Sequence, residues 1–335
     1  MPCTFCSSGM VRQNARRVLV ILMLTGASCT GEGNAKRAQE RSRAAADTVL
    51  VFAAASMVGS ISDVVQAHSE RTGAVVLVES GGSLEHARKL TELGRVPDVL
   101  LLADEEVFSQ RLLPRHATWY LRFARDRMVI AYTTRSRHAR DIRDDNWPSI
   151  LRRSDVEVGR PDPARAPAGY RALLALDLAA RHLNDPSLAA AVLARAPARN
   201  TRPDAASLAA LLATGEVDYI FEYESLARAR GFGFVRLPPE ADLGDLARAD
   251  AYAVARVRVP GDTRAESVTV AGAPIVHALA VPRDAPHQAA AQRFVEWLLS
   301  DVGRVALRAA HVDLIEPPQP VGDAPAWVRA LAAAP

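Results

Sequence analysis

Cysteine is nearly absent from this chain. Its 335 residues hold three, Cys3, Cys6 and Cys29, and none follows position 29. Everything beyond that point is expected to fold without a disulfide and to be held by its apolar core. Cys3 and Cys6 form a C-x-x-C, but no second pair and no histidine cluster completes a metal set, so they read as leader residues. An excess of charge of one sign is also missing. There are 41 basic and 38 acidic residues, and Arg12, Arg16 and Arg17 carry the whole difference, with no acid before Cys29. From Cys29 onward the chain is balanced, 38 against 38. That balance leaves no footprint for a nucleic acid, and an anion has to be captured by local donors. Catalytic signatures are missing too. None of the eight histidines forms H-x-x-H or H-E-x-x-H, and there is no G-x-S-x-G elbow. His86 lies one turn after Ser83, but that spacing has no carboxylate to orient it. No enzyme is expected, and a periplasmic hydrolase is the weakest of the rival readings.

The start of the chain reads as an export signal. Met10 to Arg17 is a basic segment, and Val18 to Leu24 is an apolar run too short to cross a bilayer. Met10 makes the better start, since Met1 to Gly9 adds no signal character. Gly26-Ala27-Ser28-Cys29 resembles a bacterial lipoprotein cleavage site, with Gly26 where a branched aliphatic is usual. The expectation is a signal peptide over 1–28, a lipid on Cys29, and a polar, alanine-rich tether over 29–47.

The remaining residues alternate between strand-like and helix-like segments, the mark of an α/β architecture. Val49-Leu50-Val51-Phe52 breaks into Ala53-Ala54-Ala55-Ser56, and a helical pattern follows. The arrangement repeats one unit later, where Val75-Val76-Leu77-Val78-Glu79 leads into Ser80-Gly81-Gly82-Ser83 and a helix from Leu84 to Leu90. Further strands are expected at 96–104, 126–133, 156–159, 217–223 and 274–282. Further helices are expected from 147, and over 169–182, 205–214 and 288–299. A helix start exposes orphan N–H groups and the positive end of its dipole. Two serine-tipped starts, at Ser56 and Ser83, therefore suggest a pocket for a small oxyanion.

An ordered set of motifs is more specific. It runs through Phe52-Ala53-Ala54-Ala55-Ser56, Gly82-Ser83, Thr91-Glu92-Leu93-Gly94, Asp98-Val99-Leu100, Ala103-Asp104, Phe123-Ala124-Arg125, Met128 to Thr133, Asp145-Asn146-Trp147, Gly169-Tyr170-Arg171, Phe221-Glu222-Tyr223 and Gly272-Ala273-Pro274. Over residues 48–315 this order resembles the tungstate/molybdate-binding proteins of ABC transporters, in the branch first known from archaea. The resemblance implies a two-lobed type II periplasmic-binding-protein fold with a hinge and an interlobe ligand cleft. Lobe one would be 48–133 plus 265–320, lobe two 134–264, and 321–335 a C-terminal tail. It also implies a monomeric receptor in the periplasm or on the outer face of the cell membrane. Such a receptor has no cofactor and works with a membrane permease and its ATPase.

By the same resemblance Ser56 and Ser83 hold the oxyanion from lobe one. Ala168 and Gly169, in Pro167-Ala168-Gly169-Tyr170, would offer backbone N–H groups from lobe two, and Tyr223 a hydroxyl. Glu222 matches one of two carboxylates that, in the archaeal branch, approach the metal and raise its coordination from four toward six. The other aspartate is replaced here by Ala166, and a cysteine by Ala168. The Pro-Ala-Gly form instead resembles bacterial molybdate binders that hold a tetrahedral anion with neutral donors. Glu222 is then either a remnant ligand or the partner of an arginine such as Arg171, and Asp162 replaces the lost aspartate only if loop 160–167 is remodelled. A rival reading keeps the fold and changes the ligand to sulfate, phosphate, ferric iron or a small organic acid. The arginine-poor pocket speaks against carboxylates, which usually recruit a bidentate arginine.

Overall fold

A computed structural model describes residues 48–260 and 267–333. The expected signal peptide, Cys29 and the tether lie outside the described residues. All the described residues fall in one unit, Arg43–Pro335.

Two sheets organise this unit. The first has six strands in the order β13-β4-β12-β3-β1-β2. They are β1 (Thr48–Ala54), β2 (Val75–Gly81), β3 (Val99–Leu102), β4 (Trp119–Asp126), β12 (Ile275–Ala280) and β13 (Asp313–Gly322). The second has five, in the order β7-β6-β8-β5-β9: β5 (Met128–Tyr132), β6 (Val158–Pro161), β7 (Thr201–Arg202), β8 (Tyr219–Tyr223) and β9 (Gly233–Arg236). A hairpin of β10 (Arg256–Pro260) and β11 (Ser267–Ala271) stands apart from both. Strands β1, β2 and β3 are parallel to one another, as are β6, β7 and β8.

Eleven α-helices are described: α1 (Val58–Thr72), α2 (Ser83–Thr91), α3 (Trp147–Leu151), α4 (Pro167–His182), α5 (Leu188–Leu193), α6 (Ala205–Thr214), α7 (Glu224–Ala229), α8 (Ala249–Tyr252), α9 (Gln288–Leu298), α10 (Asp301–Ala309) and α11 (Ala326–Ala333). Their ends follow local chemistry. Gly73 and Gly215 close α1 and α6 in the left-handed conformation, at φ 73° and 82°. Pro167 opens α4, and Asp204 caps α6 by accepting from Ser207 N–H at 2.8 Å.

One large cluster of buried apolar residues spanning both lobes makes the main core, with two small clusters beside it in lobe two. β3 is buried throughout, and Phe52, Leu100 and Phe123 are fully enclosed in lobe one, as Trp147, Tyr219 and Phe221 are in lobe two. Strands covered on both faces read as continuous apolar runs, which explains why β3 and β12 were visible in the sequence.

The lobes join where β4 ends and β5 begins. Asp126 is the last residue of the six-stranded sheet and Met128 the first of the five-stranded one. The first crossing is therefore at Arg127, ahead of the position near residue 133 expected from composition. Met128 N–H bonds Asp242 O at 2.7 Å and Ile275 N–H bonds Leu243 O at 2.8 Å, so the return crossing runs alongside the first. Residues 321–333, expected as a tail, instead finish β13 and form α11. Val328 of that helix is fully buried, and Trp327 packs edge-on against Trp119 at 5.4 Å.

The lobes are closed on each other. At Gly82, before α2 in lobe one, a Cβ would lie 2.2 Å from Arg165 O in lobe two. Arg165 Nη2 also pairs with Glu85 Oε2 across the same seam at 2.9 Å.

Candidate functional site

Strand ends of both sheets meet at one small cavity, nearly filled by its own lining, with a volume of about 10 Å³. Its lining comes from Ala54-Ala55-Ser56 after β1, Gly81-Gly82-Ser83 after β2, Ala103 after β3, Ala166-Pro167-Ala168 after β6, Asp204-Ala205 after β7, and Tyr223 at the end of β8. In open α/β sheets the carboxyl ends of parallel strands are where ligands sit. Such a space is far below that of pockets for drug-sized molecules, and it is the chemistry of the lining that points to a small inorganic ion. Helices α2, α4 and α6 begin at this lining and α1 begins two residues beyond Ser56, so their positive dipole ends gather at one space. Among the described residues, no lysine, arginine or histidine lines it.

The serines reach the cavity from lobe one. Ser56 is buried, and the cap position of α1 is Met57, so its hydroxyl is not spent on the helix end. Ser83 is the first residue of α2, and its Oγ accepts from Ala103 N–H at 3.1 Å. With that lone pair occupied, the hydroxyl proton remains for another acceptor.

From lobe two, Ala168 is the second residue of α4, where backbone N–H groups have no partner within the helix. Gly169, expected beside it, does not line the cavity. Its N–H donates to Ala166 O at 2.9 Å, and a Cβ on it would meet Pro163 N at 2.5 Å. Gly169 therefore lets loop and helix approach, and its N–H is already used.

Tyr223 is fully buried, and its oxygen accepts from Arg171 Nη1 at 3.0 Å. Burial raises its pKa, so it stays a neutral phenol. Glu222, one residue earlier on β8, points to the other face of the strand and does not line the cavity. Its Oε1 accepts from Tyr223 N–H at 2.9 Å, while Oε2 is buried without a partner. Burial pushes its carboxyl up to about 8, with Asp126 and Asp204 adding to the rise. Arg171 does not pair with Glu222. Its Nη2 lies 2.9 Å from Asp104 Oδ1. Asp162 is also outside the lining, and its carboxylate accepts from Ala164 N–H.

His86 is committed elsewhere as well. Its Nε2 lies 3.0 Å from Ala53 O, its ring stacks on Phe52, and burial lowers its pKa to about 4. It supports β1 and does not activate Ser83.

Sequence reasoning missed Asp204, the one acidic residue in the lining. Its Oδ1 accepts from both Ser207 N–H and Ser207 Oγ–H, which turns its charge onto the start of α6. The pattern of an aspartate just before an alanine- and leucine-rich run was the available signal.

Comparison with known proteins agrees with this geometry. Residues 49–312 match the family model described as bacterial extracellular solute-binding protein. An uncharacterized solute-binding protein of Petrotoga mobilis is 37% identical over 82% of this chain and 85% of its own length. The molybdate/tungstate-binding protein WtpA of Pyrococcus abyssi is 31% identical over 76% of this chain and 78% of its own. Among solved structures, the periplasmic molybdate-binding protein of Azotobacter vinelandii superposes with a TM-score of 0.57 at 18% identity, over 80% of this chain and 100% of that one. That likeness establishes the two-lobed fold.

Proposed function

The chain belongs to the family of bacterial extracellular solute-binding proteins, and from that premise we propose that it captures molybdate or tungstate and hands the oxyanion to an ABC transporter permease. It acts as a monomer outside the cytoplasm, by hydrogen bonding and lobe closure, with no chemistry on the ligand. The observation that carries this reading is the cavity itself. Ser56, Ser83, Ala168 and Tyr223 bring neutral donors from both lobes, and no cationic side chain lines the space.

Such a site has a selectivity that follows from its inventory. A fully deprotonated dianion offers only acceptors, and donors alone can satisfy it. Hydrogen phosphate carries a proton that would need an acceptor, and the one carboxylate among the described lining residues, Asp204, already accepts from Ser207 N–H and Oγ–H, so that proton is poorly matched at a buried site. Sulfate is matched in charge but is smaller, so donors spaced for a larger tetrahedral anion reach its oxygens less well.

Isothermal titration calorimetry of the secreted chain tests the reading. Molybdate and tungstate are expected to bind tightly, sulfate and phosphate not at all. Ser56→Ala and Ser83→Ala are each expected to weaken molybdate binding by roughly 10- to 100-fold. Ser83→Ala should also lower stability, because Ala103 N–H loses its acceptor. Binding of sulfate or phosphate in place of molybdate, or of none of the four, overturns the assignment.

In the same reading Cys29 carries a lipid and residues 29–47 tether the receptor to the membrane face. Cys29→Ser is then expected to move the protein from the membrane fraction to the soluble extracytoplasmic fraction. Unchanged fractionation would remove the anchor from the proposal.

A further inference from the structure

Next to the cavity, sharing only Tyr223 with its lining, a second set of buried polar groups joins the lobes. Asp104 lies just beyond β3 in lobe one, while Tyr170 and Arg171 lie in the first turns of α4 in lobe two and Tyr223 ends β8. All four side chains are buried. Arg171 Nη2 is 2.9 Å from Asp104 Oδ1, and Tyr170 Oη–H donates to Asp104 Oδ2. Arg171 Nη1 donates to Ala103 O at 2.7 Å and to Tyr223 Oη at 3.0 Å.

We propose that Arg171 and Asp104 form an interlobe clasp that positions Tyr223, and through Ala103 also Ser83, as donors to the ligand. This rests on the oxyanion-receptor reading and adds two residues to it. The geometry carries the assignment in two steps.

The first step concerns protons. A guanidinium can only donate, so the Tyr223 oxygen that it meets must accept. The one proton on that phenol is then left for another acceptor, and the cavity is the space beside it. Ala103 does the same for the other lobe. Its carbonyl is held by Arg171 and its N–H occupies a lone pair of Ser83 Oγ. One residue thus links Arg171 to the serine of lobe one, and the two hydroxyls facing the cavity from opposite lobes are both left with protons to offer.

The second step concerns closure. Asp104 and Arg171 sit on different lobes, so both charges are hydrated when the lobes part and desolvated together when they meet. A buried pair is tolerated when further hydrogen bonds satisfy it, and here Tyr170, Tyr223 and Ala103 O supply them. Removing one partner leaves the other charge buried and unmatched, but only in the closed state. The loss should therefore appear in ligand release and not in folding. Arg171 and Asp104 are positioning residues in this account, since neither lines the cavity.

Stopped-flow kinetics with molybdate tests the clasp. Arg171→Met and Asp104→Asn are each expected to raise the off-rate roughly 10- to 100-fold. The on-rate should stay within about threefold, because encounter occurs with the lobes apart. Placed in a Tyr223→Phe background, Arg171→Met is expected to have a several-fold smaller effect, since part of its action runs through that hydroxyl. A wild-type off-rate, a loss confined to the on-rate, or full additivity with Tyr223→Phe would overturn the proposal. If the wild type takes sulfate or phosphate in place of molybdate, the ligand assignment fails and the same series with that anion still judges the clasp. If it binds none of them, small-angle scattering of the unliganded protein judges it. Asp104→Asn should then be more expanded than wild type, and identical profiles would overturn the clasp.

Discussion

Gly82→Ala is expected to abolish tight oxyanion binding while the protein still folds. Gly82 has φ −69° and ψ 142°, a conformation open to any L-residue, so a methyl group adds no backbone strain. The obstacle is across the seam. A Cβ there would lie 2.2 Å from Arg165 O, 2.9 Å from Arg165 C and 3.5 Å from Ala166 N. These are backbone atoms of the opposite lobe and cannot swing aside like the end of a flexible side chain. The clash exists only when the lobes are shut, so it penalises the ligand-holding state alone. A change that withholds the binding-competent state lowers apparent affinity by the fraction of that state lost, here roughly 100-fold or more. Calorimetry with molybdate reads the loss. Thermal unfolding supplies the control: the unliganded midpoint should stay within about 2 °C of wild type, and added ligand should no longer raise it. Gly169→Ala makes the contrast. Its Cβ would strike Pro163 N and Asp162 C within lobe two, so it should damage folding with or without ligand. A Gly82→Ala protein that binds like wild type would show that the bound state does not include this approach.

Parts of the site that were legible in the sequence are those built by local rules. Ser56 and Ser83 each follow an apolar strand and open a helix, and that transition is readable within about ten residues. Tyr223 and Ala168 needed the ordered resemblance, since neither carries a local signal of its own. The Asp104–Arg171 pair was not legible. The two lie 67 residues apart, |i−j| being 66 for Tyr170 with the same aspartate, and no periodicity says which carboxylate an arginine will meet. The sequence offered Glu222 either as a remnant ligand or as the partner of an arginine such as Arg171, because a lone carboxylate facing a dianion would be costly. Adjacent residues of a strand point to opposite faces, so the neighbour of a site residue is the one turned away from it.

The same physics explains the misplaced boundaries. β4 ends on the charged Arg125-Asp126 and β5 begins one residue later, so the crossing at Arg127 reads in the sequence like a short turn between two strands. β13 carries Pro317, Pro318 and Pro320, which argue against a strand in a sequence reading. It is nonetheless the edge strand of its sheet, where one side needs no donors, and its register shifts between Leu314 and Gln319 to pass the prolines.

Glu222→Gln is expected to stabilise the protein at alkaline pH and to change little at pH 5. Glu222 is fully buried, with one carboxyl oxygen bonded to Tyr223 N–H and the other without a partner. Burial raises its pKa from about 4.5 to about 8. Below pH 4.5 the carboxyl is protonated in both folded and unfolded chains, and its ionisation costs the fold nothing. Between 4.5 and 8 the unfolded chain releases a proton that the folded chain keeps, so stability falls as pH rises through that window. Above 8 the penalty levels off at roughly 5 kcal/mol, from about 1.4 kcal/mol for each unit of pKa difference. Glutamine has nearly the same shape, keeps an oxygen for Tyr223 N–H and does not ionise. Urea unfolding from pH 5 to 9 should therefore show the two proteins diverging upward, with the variant ahead by a few kcal/mol at pH 8. Burial also raises Asp126, to about 6, and lowers His277, to about 3. Both groups are present in each protein, so the difference between the curves isolates position 222. A constant difference across the range would mean that Glu222 does not titrate there. Molybdate binding by the same variant reads the other role the sequence raised for this residue, as a ligand to the metal. Its place outside the cavity lining leads us to expect unchanged affinity at pH 7, and a large loss would mean that the carboxyl reaches the anion in the bound state.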